Sequence, residues 1–214
     1  MQEVTRLINI CHKVYEKGFV AAYDGNLSCR TEKGNILITR SAICKGEVTE
    51  KDIIEIDIEG NKISGEGRIS TEVKIHLNAY HKRKDLNAVI HNHPPYSTAA
   101  ASIKEEIPEN IFPEVILLLG KIARCSYATP STESLAESMN RYIDKTNIFL
   151  LNNHGAVTLG SSIEDAYYKM EKLEHTMKIL YLARTSGTLM EIPKDKVEEL
   201  KSIAEKVYGI HLNR

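Results

Sequence analysis

The chain has no surplus of either charge, no long apolar run and no closely paired cysteines, and each absence removes a class of function. Lys plus Arg total 28 against 29 Asp plus Glu, a net charge of −1. So balanced a surface has no field for gathering a phosphate backbone, which argues against nucleic-acid binding. No stretch approaches the roughly 18 apolar residues that a membrane helix needs, so no membrane association is expected. Met1, Gln2, Glu3 and Arg6 do not have the layout of a signal peptide, and the expectation is a cytoplasmic protein. Cys11, Cys29, Cys44 and Cys125 stand far apart, which suggests neither a thiolate zinc cage nor a redox dithiol. They read as reduced, small buried hydrophobes. Internal repeats, low-complexity tracts and Pro/Gly/Ser linkers are also missing, so nothing divides the 214 residues.

What is there is the material of an ordinary globular core, 42% apolar and 27% charged. Val4, Leu7, Ile8, Cys11, Val14 and Tyr15 recur at helical spacing, with Gly18 as the stop. A polar, Gly-bearing stretch follows at Tyr23 to Ser28. Asn35 to Thr39 and Ile53 to Ile58 read as strands, and Gly60-Asn61 as a hairpin turn leading to Lys62 and Ile63. Thr71 to Lys82 is helical through Val73, Ile75, His76, Ala79 and Tyr80, with Ser70 or Thr71 as the expected cap. Ala88 to Ile90 is a buried strand stopped by Pro94-Pro95, and Ile148 to Leu151 is another, before the chain resumes at Ala156 to Leu159. Ser161 with Glu164 predicts a capping box for a long helix whose stripe is Ile163, Ala166, Tyr167, Met170, Leu173, Met177, Leu180 and Tyr181. A last helix runs from about Lys194 through Val207. The pattern predicts one α/β domain over residues 1–214, a three-layer αβα arrangement around a central mixed, largely antiparallel sheet.

Two strand ends carry the chemistry. His91 and His93 are two apart and so project from one face, with about 6 to 7 Å between their Cα atoms. That separation suits two ligands on one metal, although two histidines at a strand end also simply face solvent or a carbonyl. A catalytic metal typically takes three protein ligands, and His154, at the end of another apolar strand and followed by Gly155, is the candidate third. Glu72, at a helix start behind Ser70 and Thr71, is placed to move a proton beside a Lewis acid. An exposed first helical turn favours a carboxylate through the helix dipole as well. His76, four residues on, either joins a metal or hydrogen-bonds locally. His12, His81, His175 and His211 read as surface or packing residues. The helix start at Ser70-Thr71 and the loops Gly25-Asn26 and Thr39-Arg40-Ser41 offer N–H and hydroxyl donors suited to a phosphate, though each alone is a turn by default.

Taken in order, Gly25-Asn26-Leu27-Ser28, Ile38-Thr39-Arg40-Ser41, Ser70-Thr71-Glu72, His91-Asn92-His93-Pro94, Tyr127-Ala128-Thr129, Asn153-His154-Gly155 and Tyr208-Gly209 resemble the motifs of one family. They are those of the class II sugar-phosphate aldolases of the fuculose-1-phosphate aldolase type, within the aldolase/epimerase/adducin-head superfamily. The resemblance implies that His91, His93 and His154 hold one divalent metal ion per subunit, usually zinc, otherwise manganese or another first-row ion. It implies Glu72 as the acid/base, Gly25, Asn26, Thr39, Ser41, Ser70 and Thr71 as the phosphate site, and Tyr208 as an aid to the leaving aldehyde. It further implies a homotetramer with interfacial sites. Related epimerases carry Asp where Glu72 stands, and adducin-type heads lack the metal histidines.

The function this implies is reversible cleavage of a ketose 1-phosphate into dihydroxyacetone phosphate and an aldehyde. Two departures bear on the substrate. Ala42 stands where many relatives have Gly, and Ile111 to Ile116 has no counterpart of the tyrosine that the family draws from a neighbouring subunit, Phe112 or Glu114 occupying the region. The second change suits a less hydroxylated aldehyde, from a 5-deoxy- or methylthiopentulose 1-phosphate, as well as L-fuculose 1-phosphate. The alternatives are a methylthioribulose-1-phosphate dehydratase and a non-catalytic interaction module like the adducin heads.

Overall fold

A computed structural model describes residues 2–209. Helix α1 (Gln2–Glu16) leads into β1 (Asn26–Arg30), β2 (Ile36–Thr39), β3 (Ile53–Ile56) and β4 (Lys62–Ser64), then α2 (Val73–Lys82) and β5 (Ala88–Asn92). Helix α3 (Pro95–Ala101), β6 (Ile122–Cys125), α4 (Glu133–Glu137), β7 (Ile148–Leu151), β8 (Gly155–Gly160), α5 (Ile163–Ser186) and α6 (Lys194–Tyr208) follow. The eight strands form one sheet in the order β4-β3-β2-β1-β5-β8-β7-β6. Every pairing is antiparallel except β6 with β7. The expected mixed, largely antiparallel sheet between helical layers is what forms.

Alternation along the strands divides the core in two. Leu27, Cys29, Leu37, Ala88, Ile90, Ile148 and Leu150 face α1 and α5, whereas Ile36, Ile38, Ile54, Val89, Phe149 and Leu151 face α2 and the segment around Leu135 and Met139. Two buried layers of aliphatic side chains, each packed on one sheet face, supply the main drive for folding. Among the described residues no helix is long and apolar enough to cross a membrane. All four cysteines are free, three of them buried, in accord with their reading as small hydrophobes.

Several local expectations shift. The stretch ending at Ser28 is not a loop throughout, because Asn26 to Arg30 pairs on both sides, with β2 and β5. Helix α2 begins at Val73 with Glu72 as its N-cap residue, not Ser70 or Thr71; Ser70 Oγ instead accepts from Glu72 N. Helix α5 is capped by Ser162, whose side chain accepts from Asp165 N, one residue beyond the predicted Ser161 and Glu164 pair. Glu164 is turned aside by Arg6, which holds it in an ion pair. Tyr181, placed on the buried stripe by spacing, is 54% exposed. Strand β3 stops at Ile56, short of Ile58.

Candidate active site

Three strand ends and one helix start meet at a single point. His91 on β5 lies opposite Asn26 of β1 and Val157 of β8, and His93 follows just past the strand end. β7 and β8 form a tight hairpin whose turn contains Asn153, in the left-handed region at φ 56°, and then His154. Since β8 is the neighbour of β5, that turn is laid against the two other histidines. The three imidazoles bring one nitrogen each within 4.8 Å of one another. Glu72, at the start of α2, closes the group, with Oε2 3.2 Å from His91 Nε2 and Oε1 3.3 Å from His154 Nε2.

The donor set fits a divalent cation. His91 Nδ1 lies 3.0 Å from Ala156 O, which can only accept, so Nδ1 carries the proton and Nε2 its lone pair. His93 Nδ1 faces Asp24 Oδ2 at 3.4 Å, leaving its Nε2 3.2 Å from His91 Nε2. Two imidazole lone pairs this close are relieved only by a shared cation or proton. Glu72 Oε1 is also buried without a hydrogen-bond partner. Neutral rings are the metal-binding form. Burial lowers both His93 and His154, the latter to about 4, and without an ion a proton on His91 adds to this, although Glu72 and Asp24 oppose the shift. Burial alone would raise the Glu72 carboxyl, but without an ion a protonated His91, together with the Asn26 amide, outweighs it and holds the group well below the usual carboxylate range.

Glycine is obligatory at two places here. A Cβ on Gly155 would come within 2.5 Å of His93 Cδ2 and 2.6 Å of Asn92 O. Gly25 adopts φ +74°, and a Cβ there would lie 2.6 Å from Asn92 Oδ1 and 2.9 Å from His91 O. Both glycines let a neighbouring segment press onto the histidine strand.

The other residues singled out in the sequence fall as follows. Gly25 and Asn26 open β1, Thr39 ends β2 with its hydroxyl accepting from Leu27 N at 3.3 Å, and Ser41 N donates to Arg68 O at 2.8 Å. An isolated bridge from Arg40 to Ile69 brings the Ser70-Thr71 segment alongside, so the three loops are neighbours. Ala42 takes the left-handed backbone, φ 57°, that glycine adopts freely, so the loop bends despite its side chain. Buried Lys45 bridges the segment before Gly25 and the one after Ser41, donating from Nζ to Ile43 O at 2.8 Å and Tyr23 O at 3.4 Å. Tyr208 is the last residue of α6; its side chain, like the whole of His211, lies outside what the structure describes.

Sequence reasoning overlooked the surroundings of the histidines. Asp24 lies within the polar stretch Tyr23 to Ser28, and Glu174 follows Leu173 on the long helix with no spacing that marks it out. Its carboxylate accepts from Tyr96 N (2.9 Å), Ser97 N (2.8 Å) and Ser97 Oγ (2.7 Å), holding the start of α3 next to His93. His76 is buried among Asn26 and Ser28, the local hydrogen-bonding alternative and not the metal one.

Residues 5–181 match the family described as the class II aldolase and adducin N-terminal domain. An L-fuculose phosphate aldolase of Methanocaldococcus jannaschii is 37% identical over 83% of this chain and 94% of its own. A 5-deoxy-D-ribulose 1-phosphate aldolase of Bacillus thuringiensis is 30% identical over 88% of each. Among solved structures, an L-fuculose 1-phosphate aldolase superposes with a TM-score of 0.85 at 30% identity, covering 94% of this chain and 95% of that one. The chain belongs to the class II aldolase and adducin N-terminal domain family. With three histidines and a carboxylate converging as described, it falls on the enzymatic side of that family, as a class II aldolase.

Proposed function

We propose that the protein reversibly cleaves a ketose 1-phosphate to dihydroxyacetone phosphate and an aldehyde. The observation that carries the reading is the convergence of His91, His93 and His154 with the Glu72 carboxylate within hydrogen-bond distance of two of them. The histidines would hold one divalent ion, zinc first and manganese or another first-row ion next, since imidazole suits several. Such an ion supplies Lewis acidity to the negative charge that develops on a ketose when the bond between its third and fourth carbons breaks. Glu72, ionised and buried, takes the proton from the nucleophilic carbon in the synthetic direction and returns it in cleavage. Removing such a group costs roughly 10²- to 10⁴-fold in rate.

The loops at Gly25-Asn26, Thr39 to Ser41 and Ser70-Thr71 are the phosphate site of this reading. Asn26 commits one amide hydrogen to Glu72 and has a second for a phosphate oxygen. Tyr208 is assigned to the aldehyde end. The substrate is a 5-deoxy- or 5-methylthiopentulose 1-phosphate or L-fuculose 1-phosphate, a choice supported by the names of the two relatives and by the lack of a tyrosine between Ile111 and Ile116. A homotetramer is supported by the apolar side chains of Tyr181 and Leu182 on α5 and Val207 on α6, all at least half exposed; a cytoplasmic location completes the reading. The test is to incubate the metal-loaded protein with these ketose phosphates and trap dihydroxyacetone phosphate by coupled reduction. Its appearance with one aldehyde per turnover is expected. Loss of water to a diketone, with no triose phosphate, would turn the assignment to the dehydratase.

A further inference from the structure

Glu72, His76 and Tyr80 lie at four-residue intervals on one face of α2, each step rising about 6 Å. Asn26, Ser28 and Arg30 alternate on β1 toward that face, each step about 6.6 Å. The two ladders are nearly commensurate, so their rungs meet. Asn26 Nδ2 donates to Glu72 Oε2 at 3.0 Å, and Asn26 Oδ1 lies 2.6 Å from His76 Nε2. His76 Nδ1 lies 2.6 Å from Ser28 Oγ, which lies 2.8 Å from Tyr80 Oη. At the last rung the Arg30 guanidinium stacks 4.8 Å over the Tyr80 ring. Ser28, His76 and Tyr80 have no solvent exposure, and Asn26 has 5%.

The direction of every bond in this chain is determined. A carboxylate only accepts, so the Asn26 amide turns NH2 toward Glu72 and oxygen toward His76. His76 Nε2 must then carry hydrogen. Burial above all lowers this imidazole to about 3 against the pull of Glu72, so the ring is neutral and its other nitrogen only accepts. Ser28 therefore donates to Nδ1 and accepts from the Tyr80 hydroxyl, a phenol that burial raises far above its ordinary value. An asparagine amide is nearly the same shape when flipped by 180°, so packing does not choose its orientation; the Glu72 carboxylate on one side and the His76 Nε2–H on the other do so together.

We propose that Tyr80, Ser28 and His76 are a positioning relay that locks the Asn26 amide with its NH2 toward Glu72 and so holds the carboxylate aimed into the site. The relay's effect on turnover rests on the aldolase reading, whereas its hydrogen-bond direction does not. The side-chain hydrogen bonds of its three members run to one another and to Asn26, not to His91, His93 or His154.

Nitrogen-15 spectra of the histidine rings in the metal-loaded wild type, with His76 assigned by loss of its signals in His76→Gln, test the direction. A neutral ring protonated at Nε2 and accepting at Nδ1 is expected at neutral pH; a ring protonated at Nδ1, or an imidazolium, overturns the relay. Ser28→Thr and Ser28→Val then form a matched pair of equal shape in which only threonine keeps the hydroxyl. The valine variant should lose about 10- to 100-fold in kcat relative to threonine, as loss of one buried hydrogen-bond partner implies. Its KM should stay within about threefold and its metal content should not change. Equal kcat in the two variants overturns the relay. Should the wild type cleave none of the ketose phosphates, the aldolase reading fails, and the His76 tautomer still decides the relay.

Discussion

Glu174 is the most exposed point of the structure's logic to a single substitution. Helix α3 starts immediately after His93-Pro94, its N-cap residue is Pro94, and no N-cap side chain serves it. The Glu174 carboxylate from α5 takes that place, receiving two backbone N–H groups and the Ser97 hydroxyl at 2.7 to 2.9 Å while only 8% exposed. In Glu174→Leu these three donors lose their acceptor, the two of Ser97 in a buried position and the Tyr96 N–H in a part-buried one. Each buried unpaired donor costs about 1–3 kcal/mol. Because the carboxylate's own desolvation is regained and such losses are not additive, the net expectation is about 3–5 kcal/mol. Glu174→Gln keeps one acceptor but turns an NH2 toward the remaining donors, for about half that loss. Urea unfolding of the metal-loaded protein should rank wild type above Gln above Leu at constant m-value. A Leu variant within about 0.5 kcal/mol of wild type, the range of an ordinary surface change, would refute the reasoning.

Asp24→Ala, by releasing His93 Nδ1, should weaken zinc binding about 10- to 100-fold in chelator competition without changing the stoichiometry; unaltered affinity would remove Asp24 from the centre. Gly155→Ala drives a methyl into His93 and the Asn92 carbonyl, so metal content should collapse while far-ultraviolet circular dichroism persists, and full occupancy would contradict the geometry. Acid stability follows His76. Its folded value of about 3 lies below the unfolded value of about 6.5, so the unfolded chain binds this proton first. The stability tied to the neutral ring is complete above pH 6.5 and falls by up to about 1.4 kcal/mol per unit as pH drops toward 3. His76→Gln should show a shallower fall over that window in the metal-free protein, and parallel slopes would exclude the assignment.

Legibility in the sequence followed the hydrophobic period. Helix α1, β3, α2, β5, β7, β8 and α5 were readable because aliphatic residues mark their buried faces, β4 because the Gly60-Asn61 turn precedes it, and α6 from the helical spacing of its apolar residues. Strand β1 was not, because two of its buried positions, Asn26 and Ser28, are polar and hydrogen-bond to residues at the start and on the face of α2 where a hydrophobic period would need apolar side chains. Helix α3 hid behind Pro94-Pro95, which stop a strand and equally open a helix when proline occupies the first turn. Strand β6 buries the small Ala123 and Cys125 and leaves Ile122 and Arg124 partly open, so no aliphatic run marks it, and helix α4 is one short turn of five residues. The histidines and Glu72 were legible as residue types at strand ends and a helix start. Their outer partners were not, since Asp24 comes from a loop, Glu174 from an apolar helix, and the Glu72, His76, Tyr80 ladder gains meaning only when Asn26 and Ser28 are known to lie on a strand beside it.

The central claim is that three imidazoles distant in the chain share one cation beside Glu72. Calorimetric titration of zinc into metal-free wild type and His154→Ala tests it most directly. One site per chain in the wild type, weakened by more than about 100-fold in the variant, is the predicted result; a variant that binds zinc with the same stoichiometry and affinity would contradict the account.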